Sequence, residues 1–215
     1  ALPEMFLTGY QIQDLVFKRA FIENVSTVLE KLAKCIKAGP PMLIGAPAIE
    51  ENSVFNAYYL LIDGKFRVVA RKHHLPNSNV FDERRVFSSG PVSGPIEVSQ
   101  VRLGTPICED FWFEDVADTL VKKGADILLS PNGSPYARNK IDVRAKIMAK
   151  RSIQTELPIV YLNLVGGQDD LVFDGGSFVL NPGGELALQL PQFDEVTGVV
   201  EFSSSSGSLR AKTGF

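Results

Sequence analysis

Two cysteines, an adjacent pair of histidines and a strand-end lysine are the residues of this 215-residue chain whose types could drive covalent chemistry. Cys35 stands beside Leu32 and Ile36 in a helical pattern, the setting of a core thiol. Cys108 instead closes an apolar run and is followed at once by Glu109, Asp110 and Phe111. Strand ends are where α/β folds expose reactive groups, although a buried thiol at a strand terminus fits the same pattern. A free thiol is only about 3% thiolate at pH 7, so a nucleophilic Cys108 needs a base. No histidine follows it: His73 and His74 both lie upstream. That order disfavours a papain-like protease, and the flanks Thr105-Pro106-Ile107 and Glu109-Asp110-Phe111 carry no glycine elbow. Two neighbouring histidines without paired cysteines also make a poor metal site. The base that remains is a carboxylate. Lys72 closes the strand read over 66–71 and opens a long loop; by position alone it is an ordinary exposed lysine.

The elements that must position these groups alternate between helix and strand. Leu15, Ile22, Val25, Leu29, Leu32 and Ile36 recur at helical spacing over 14–37, and Gly39-Pro40-Pro41 ends that helix. Residues 42–46 read as a short strand, and 54–62 with 66–71 flank Asp63-Gly64, a hairpin signal. A loop spans 73–95, long enough to expect a functional role. One strand is predicted over 98–107, helices over 115–123 and 139–155, and buried strands over 127–129 and 159–162. Ile141, Ala145, Met148 and Ala149 form the expected buried face of the second of these helices. Short strands joined at Asp174-Gly175-Gly176 and Pro182-Gly183-Gly184 complete the chain to Phe202. This order implies an α/β domain with a mixed sheet or two packed sheets.

Composition narrows the class. Charged residues at 22% and hydrophobic ones at 45% are ordinary for a globular domain. A net charge of -3 argues against a duplex-DNA partner, and no apolar run approaches the ~18–20 residues of a membrane span. Two cysteines cannot build a disulfide framework. The expectation is a soluble cytoplasmic domain over 1–202, with 203–215 as a Ser/Gly-rich flexible tail or linker.

Ordered blocks extend the reading. Pro3-Glu4, Arg71-Lys72 with Leu75-Pro76, and Ile107-Cys108-Glu109-Asp110 resemble the Glu-Lys-Cys signature of the nitrilase superfamily. Within it, FLTGY, KHHLPNSNVFDERRVF, ICEDFW, SPNGSPY and LVFDGGSFVLNPGGELA resemble the glutaminase domains of the glutamine-dependent NAD synthetase family, over nearly the whole chain. The resemblance implies a four-layer α-β-β-α sandwich that pairs with a second copy. It implies Glu4 as general acid and base, Cys108 as the nucleophile that forms a thioester with the glutamine carboxamide, and Lys72 as an oxyanion donor. Glu83 matches an additional glutamate placed beside the lysine. Tyr10, Glu109, Ser134 and Arg138 match positions that contact substrate, where an ordinary surface or supporting polar role is the alternative. Arginine suits an α-carboxylate because its planar fork matches the two oxygens.

Two departures fall beside these blocks: Ser78-Asn79 stands where the family has Tyr-Gly, and Gln11-Ile12-Gln13-Asp14 where it has an acidic segment. No pyrophosphate-binding Ser-Gly-Gly loop is present. Asp174-Gly175-Gly176-Ser177 leads into Phe178-Val179-Leu180, a strand pattern. The resemblance therefore assigns glutamine as substrate and no cofactor to this chain. ATP and magnesium would belong to a synthetase domain after Phe215, and the first strand and helix of the fold would precede Ala1. A stand-alone amidase for another small amide, or a non-catalytic assembly module, remain the alternatives.

Overall fold

The computed structural model describes residues 1–205 and 208–212, and divides into two compact units, Ala1–Ser93 and Gly94–Phe215. No helix among the described residues is long and apolar enough to cross a membrane.

The first unit is built on a three-stranded antiparallel sheet in the order β1 (Met42–Glu50), β2 (Ser53–Ile62), β3 (Lys65–Arg71). Strand alternation sends Ile44, Ala46, Ala48, Ala57, Tyr59 and Leu61 to one face, where they pack on Val25, Leu29 and Ala33 of helix α1 (Arg19–Cys35). Burying Leu29 alone stabilises this packing by about 1.5–3 kcal/mol. The Asp63-Gly64 turn forms as expected, both residues having positive φ, and pairs Ile62 with Lys65. The segment around Glu4 is no strand, but it runs along β1. Leu2 N–H donates to Leu43 O (2.8 Å), Gly45 N–H to Pro3 O (3.1 Å) and Leu7 N–H to Gly45 O (3.1 Å). A Cβ at Gly45 would lie 2.3 Å from the Met5 nitrogen, so this close approach requires glycine.

Two expectations fail in this unit. The helix does not run from 14: Lys18 is extended, separating a 3-10 turn at Gln13–Phe17 from α1, and Leu15 is exposed. Cys35 is exposed and not a core thiol. The buried stripe runs through Ile22, Val25, Leu29 and Ala33, and at 100° per residue Cys35 falls outside it. The long loop holds one helical turn, α2 (Glu83–Val86).

The second unit carries a six-stranded mixed sheet. Its hydrogen-bonded order is β11 (Glu185–Gln189), β10 (Phe178–Asn181), β7 (Ile159–Asn163), β6 (Ile127–Asn132), β5 (Val101–Gly104), β4 (Ile96–Val98). Strands β5, β6 and β7 are parallel, linked by helices α3 (Glu114–Lys122) and α4 (Lys140–Thr155). Every residue of β6 is buried, which is why its pattern is a continuous run rather than an alternation. A small ribbon, β8 (Val165–Gln168) with β9 (Leu171–Asp174), precedes β10.

The single strand expected over 98–107 is instead the β4–β5 hairpin, turned by Ser99 and Gln100 at φ of 50° and 70°. No Asn or Gly marks that turn. The buried positions of α4 are Arg144, Met148, Arg151, Ser152 and Thr155, with Ile141, Ala145 and Ala149 only half-buried on its flank. Part of the expected tail is ordered. Strands β12 (Phe202–Ser205) and β13 (Ser208–Ala211) pair, and Asn181 Oδ1 accepts from the Ala211 N–H at 2.7 Å. Residues 206–207 and 213–215 of that expectation lie outside the described residues.

Candidate active site

Four of the residues singled out by type and resemblance, Glu4, Tyr10, Lys72 and Glu83, meet in the first unit. Lys72 follows β3, and its N–H donates to the Asn56 carbonyl (2.8 Å), so the strand pairing fixes where its side chain starts. Its Nζ donates to Glu4 Oε1 at 2.8 Å and to Glu83 Oε1 at 3.1 Å. Glu83 Oε2 also lies 3.0 Å from Nζ, an ion contact off the hydrogen-bonding angle. Tyr10 O–H donates to Glu83 Oε1 at 2.8 Å, and its ring centroid is 5.9 Å from the ammonium. The Lys72 and Glu4 side chains are 0% exposed and that of Glu83 2%.

Two carboxyl groups thus face one ammonium out of water. Burial pushes the Glu83 carboxyl above its ordinary value; the Lys72 charge opposes this and the Glu4 charge adds to it, while hydrogen bonds from Lys72 and Tyr10 pull it back. Isolated buried charges cost several kcal/mol each, and a 2:1 cluster is not what packing alone would select. Such an arrangement can hold and release a proton.

In the second unit Cys108 and Ser134 follow the carboxyl ends of β5 and β6, and Asn163 is the last residue of β7, the end where parallel sheets present their chemistry. Cys108 is 6% exposed and opens a 3-10 turn, Cys108–Phe111, at φ 47°, a left-handed conformation rare for a non-glycine residue and common at functional sites. Asp110 Oδ2 accepts from Ile107 N–H at 2.9 Å. Arg151 of α4 donates to Phe111 O (3.0 Å) and Trp112 O (2.9 Å), pinning the chain after the cysteine. Glu109 lies half-buried beside Cys108 in sequence.

Ser134 is buried, and its N–H donates to Asn163 Oδ1 (2.9 Å) while its hydroxyl accepts from Arg144 Nε (3.1 Å). Arg144 also grips Asp174 through Nη1 at 2.8 and 3.0 Å and donates through Nη2 to the Ser134 and Pro135 carbonyls. The Tyr161 hydroxyl shares a hydrogen bond with Ser134. Burial drives that phenol far above its ordinary value; Arg144 opposes the shift and Cys108 adds to it. Arg138 stands apart, exposed in the loop before α4.

Asn56, Arg144, Tyr161, Asn163 and Asp174 were not singled out from sequence. Arg144 and Arg151 on the inner stripe of α4 are a readable signal, because an arginine at a core position needs a partner. Asp174 stands in a Gly-rich block that reads as a turn between strands and as part of a family block, with no signal of its buried partner Arg144.

The family model for carbon-nitrogen hydrolases matches residues 1–211, and the chain belongs to that family. A glutamine-dependent NAD(+) synthetase from Rhodobacter capsulatus is 50% identical over 211 residues, covering 98% of this chain and 38% of that protein. The solved glutamine-dependent NAD+ synthetase of Acinetobacter baumannii, in complex with ADP, is 34% identical with a TM-score of 0.90 over 100% of this chain and 40% of its own. The chain therefore spans about two-fifths of the length of these relatives. A carbon-nitrogen hydrolase from Helicobacter pylori, 22% identical with a TM-score of 0.78 over 90% of this chain and 73% of its own, shares the fold. The α/β fold of the nitrilase type expected from the sequence is the fold of this chain.

Proposed function

We propose that this chain is a glutamine amidohydrolase unit that releases ammonia for a synthetase portion of a longer polypeptide, which amidates deamido-NAD. The observation that carries the reading is the buried Lys72 ammonium held between the Glu4 and Glu83 carboxyl groups. It supplies a base and a cation without a histidine, as the order of residues around Cys108 demands. The 50% identity to a glutamine-dependent NAD(+) synthetase supports glutamine as the amide.

In this mechanism Glu4 takes the Cys108 proton as Sγ attacks the glutamine side-chain carbonyl carbon. The Lys72 ammonium and the backbone N–H after Cys108 hold the oxyanion, where one lost donor costs about 2.7–4 kcal/mol. The C–N bond breaks, Glu4 returns the proton to the departing nitrogen, and ammonia leaves a glutamyl thioester. Glu4 then takes a proton from water as it attacks the thioester; glutamate departs and the thiolate is reprotonated. General acid–base work of this kind contributes about 10²–10⁴-fold. Glu83 and Tyr10 keep Lys72 in place. Ser134 and Glu109 serve the substrate, and Arg138 serves its α-carboxylate from the exposed loop. ATP and magnesium are requirements of the synthetase portion, which with this chain works as a cytoplasmic oligomer.

Ammonia release from a panel of amides tests the proposal. Glutamine should exceed acetamide and butyramide by orders of magnitude in kcat/KM. Equal rates would make this an amidase for other small amides, and no release from any amide would leave an assembly module.

A further inference from the structure

Asn56 has no place in that mechanism, yet its side chain bonds both carboxyl groups of the buried cluster and its backbone bonds that of Lys72. It lies on β2, pairs with Pro47 of β1 and is 0% exposed. Its backbone carbonyl receives the Lys72 N–H at 2.8 Å. Its side-chain Nδ2 donates to Glu4 Oε1 at 2.7 Å and to Glu83 Oε1 at 3.1 Å. The same two oxygens receive Lys72 Nζ at 2.8 and 3.1 Å. Two carboxylate oxygens are therefore clasped between one charged and one neutral donor group. The orientation of the amide is fixed, because a flip would set its oxygen against both carboxylates. Asn56 Oδ1 consequently has no hydrogen-bond partner among the described residues, a desolvation penalty that a residue kept only for packing would not carry.

We propose, on the basis of the amidohydrolase reading above, that Asn56 is a positioning residue that holds Glu4 and Glu83 side by side, with one oxygen of each shared between its amide and the Lys72 ammonium. The neutral carboxamide is the side chain this task requires. A second cation would neutralise the cluster and weaken the base, whereas an apolar residue would leave like charges facing across one ammonium. The titratable groups that face it in this unit are Glu4 from the N-terminal segment, Lys72 after β3 and Glu83 from α2, with Tyr10 hydrogen-bonded to Glu83. Hydrogen bonds to a carboxylate favour its charged form, so loss of Nδ2 must raise the pH at which the pair ionises.

The test uses Asn56→Ala and Asn56→Asp in the full-length polypeptide, with melting temperature as a check on folding. The acid limb of kcat/KM for glutamine should move upward by about 1–2 pH units in Asn56→Ala, the equivalent of hydrogen bonds to a charged group. It should move further in Asn56→Asp, where a third carboxyl group replaces the donor, while KM stays within about 3-fold. The infrared band of protonated carboxyl groups should persist to correspondingly higher pH in both. Should either variant fail to fold, Asn56→Ser carries the same two measurements. An unmoved acid limb and an unmoved band in folded variants, or a rise in KM with kcat unchanged, would overturn the inference. The band needs no substrate, so a wild-type chain inactive on glutamine would sink the amidohydrolase reading and leave the band to decide the role of Asn56.

Discussion

Lys72 in the first unit and Arg144 in the second are both buried cations facing carboxylates, and the two are neutralised in opposite ways. Arg144 meets one carboxylate, Asp174, whose two oxygens both accept from Nη1, and spends its remaining donors on Ser134 Oγ and two backbone carbonyls. That pair is balanced, saturated and rigid. Lys72 meets two carboxyl groups, and their Oε1 atoms are crowded by Asn56 and Tyr10 as well. Its cluster carries one negative charge in excess when fully ionised, and burial raises the Glu83 carboxyl above its ordinary value. A balanced pair fixes a scaffold, here the turn that holds Ser134. An unbalanced one stores chemistry.

Substitution of the two cations should separate these roles. Lys72→Met removes the proposed oxyanion donor and the charge that Glu4 and Glu83 face, and should lower kcat by about 10⁴-fold with the fold retained. Circular dichroism and steady-state kinetics on the same sample check it; activity within 10-fold of wild type would refute the role. Arg144→Met should act chiefly on stability, by about 3–5 kcal/mol in a denaturant titration, because Asp174 is left buried without its partner. A smaller loss than that of Lys72→Met would break the comparison.

Glu83→Gln sharpens it through pH. Glu83 is raised in the folded state, so its contribution to stability is present below the ordinary carboxylate pKa of about 4.3 and is lost as pH rises through the raised value. The wild type should lose about 1.4 kcal/mol for each unit of that shift, and Glu83→Gln should show a flatter profile in thermal melts across pH 4–8. A steeper profile in the variant would contradict the sign. The smallest effect belongs to Cys35, exposed at the end of α1: Cys35→Ala should change stability by less than about 0.5 kcal/mol and leave glutamine hydrolysis unaltered.

The candidate site residues of the two units are legible in the sequence for different reasons. Cys108 ends a strand and precedes two acidic residues, a pattern that a buried thiol also fits, and the block Ile107-Cys108-Glu109-Asp110 singles it out. Glu4, Lys72 and Glu83 were found through ordered blocks, and the structure brings those three together in one unit. Asn56 escaped because a lone asparagine inside an apolar strand run carries no periodic signal; only the register with Pro47 and the bond to Lys72 give it meaning. Arg144 was masked by Ile141, Ala145 and Ala149, which pointed to a neighbouring helix face. The Ser99-Gln100 turn carries neither glycine nor asparagine, so two strands read as one. Cys35 reads as buried from its apolar neighbours Leu32 and Ile36, but its angle on α1 turns it away from the Ile22-Val25-Leu29-Ala33 stripe. The Ser-rich segment was read from composition, while the bond between Asn181 and Ala211 that orders part of it is a long-range contact.

The account rests on a glutamyl thioester at Cys108. Rapid acid quench of the full-length polypeptide turning over glutamine, followed by peptide mass mapping, tests it most directly. The account predicts one glutamyl adduct on the peptide that contains Cys108, none on the peptide with Cys35, and neither adduct nor ammonia in Cys108→Ala. Sustained glutamine hydrolysis by Cys108→Ala, or an adduct on Cys35 alone, would contradict it.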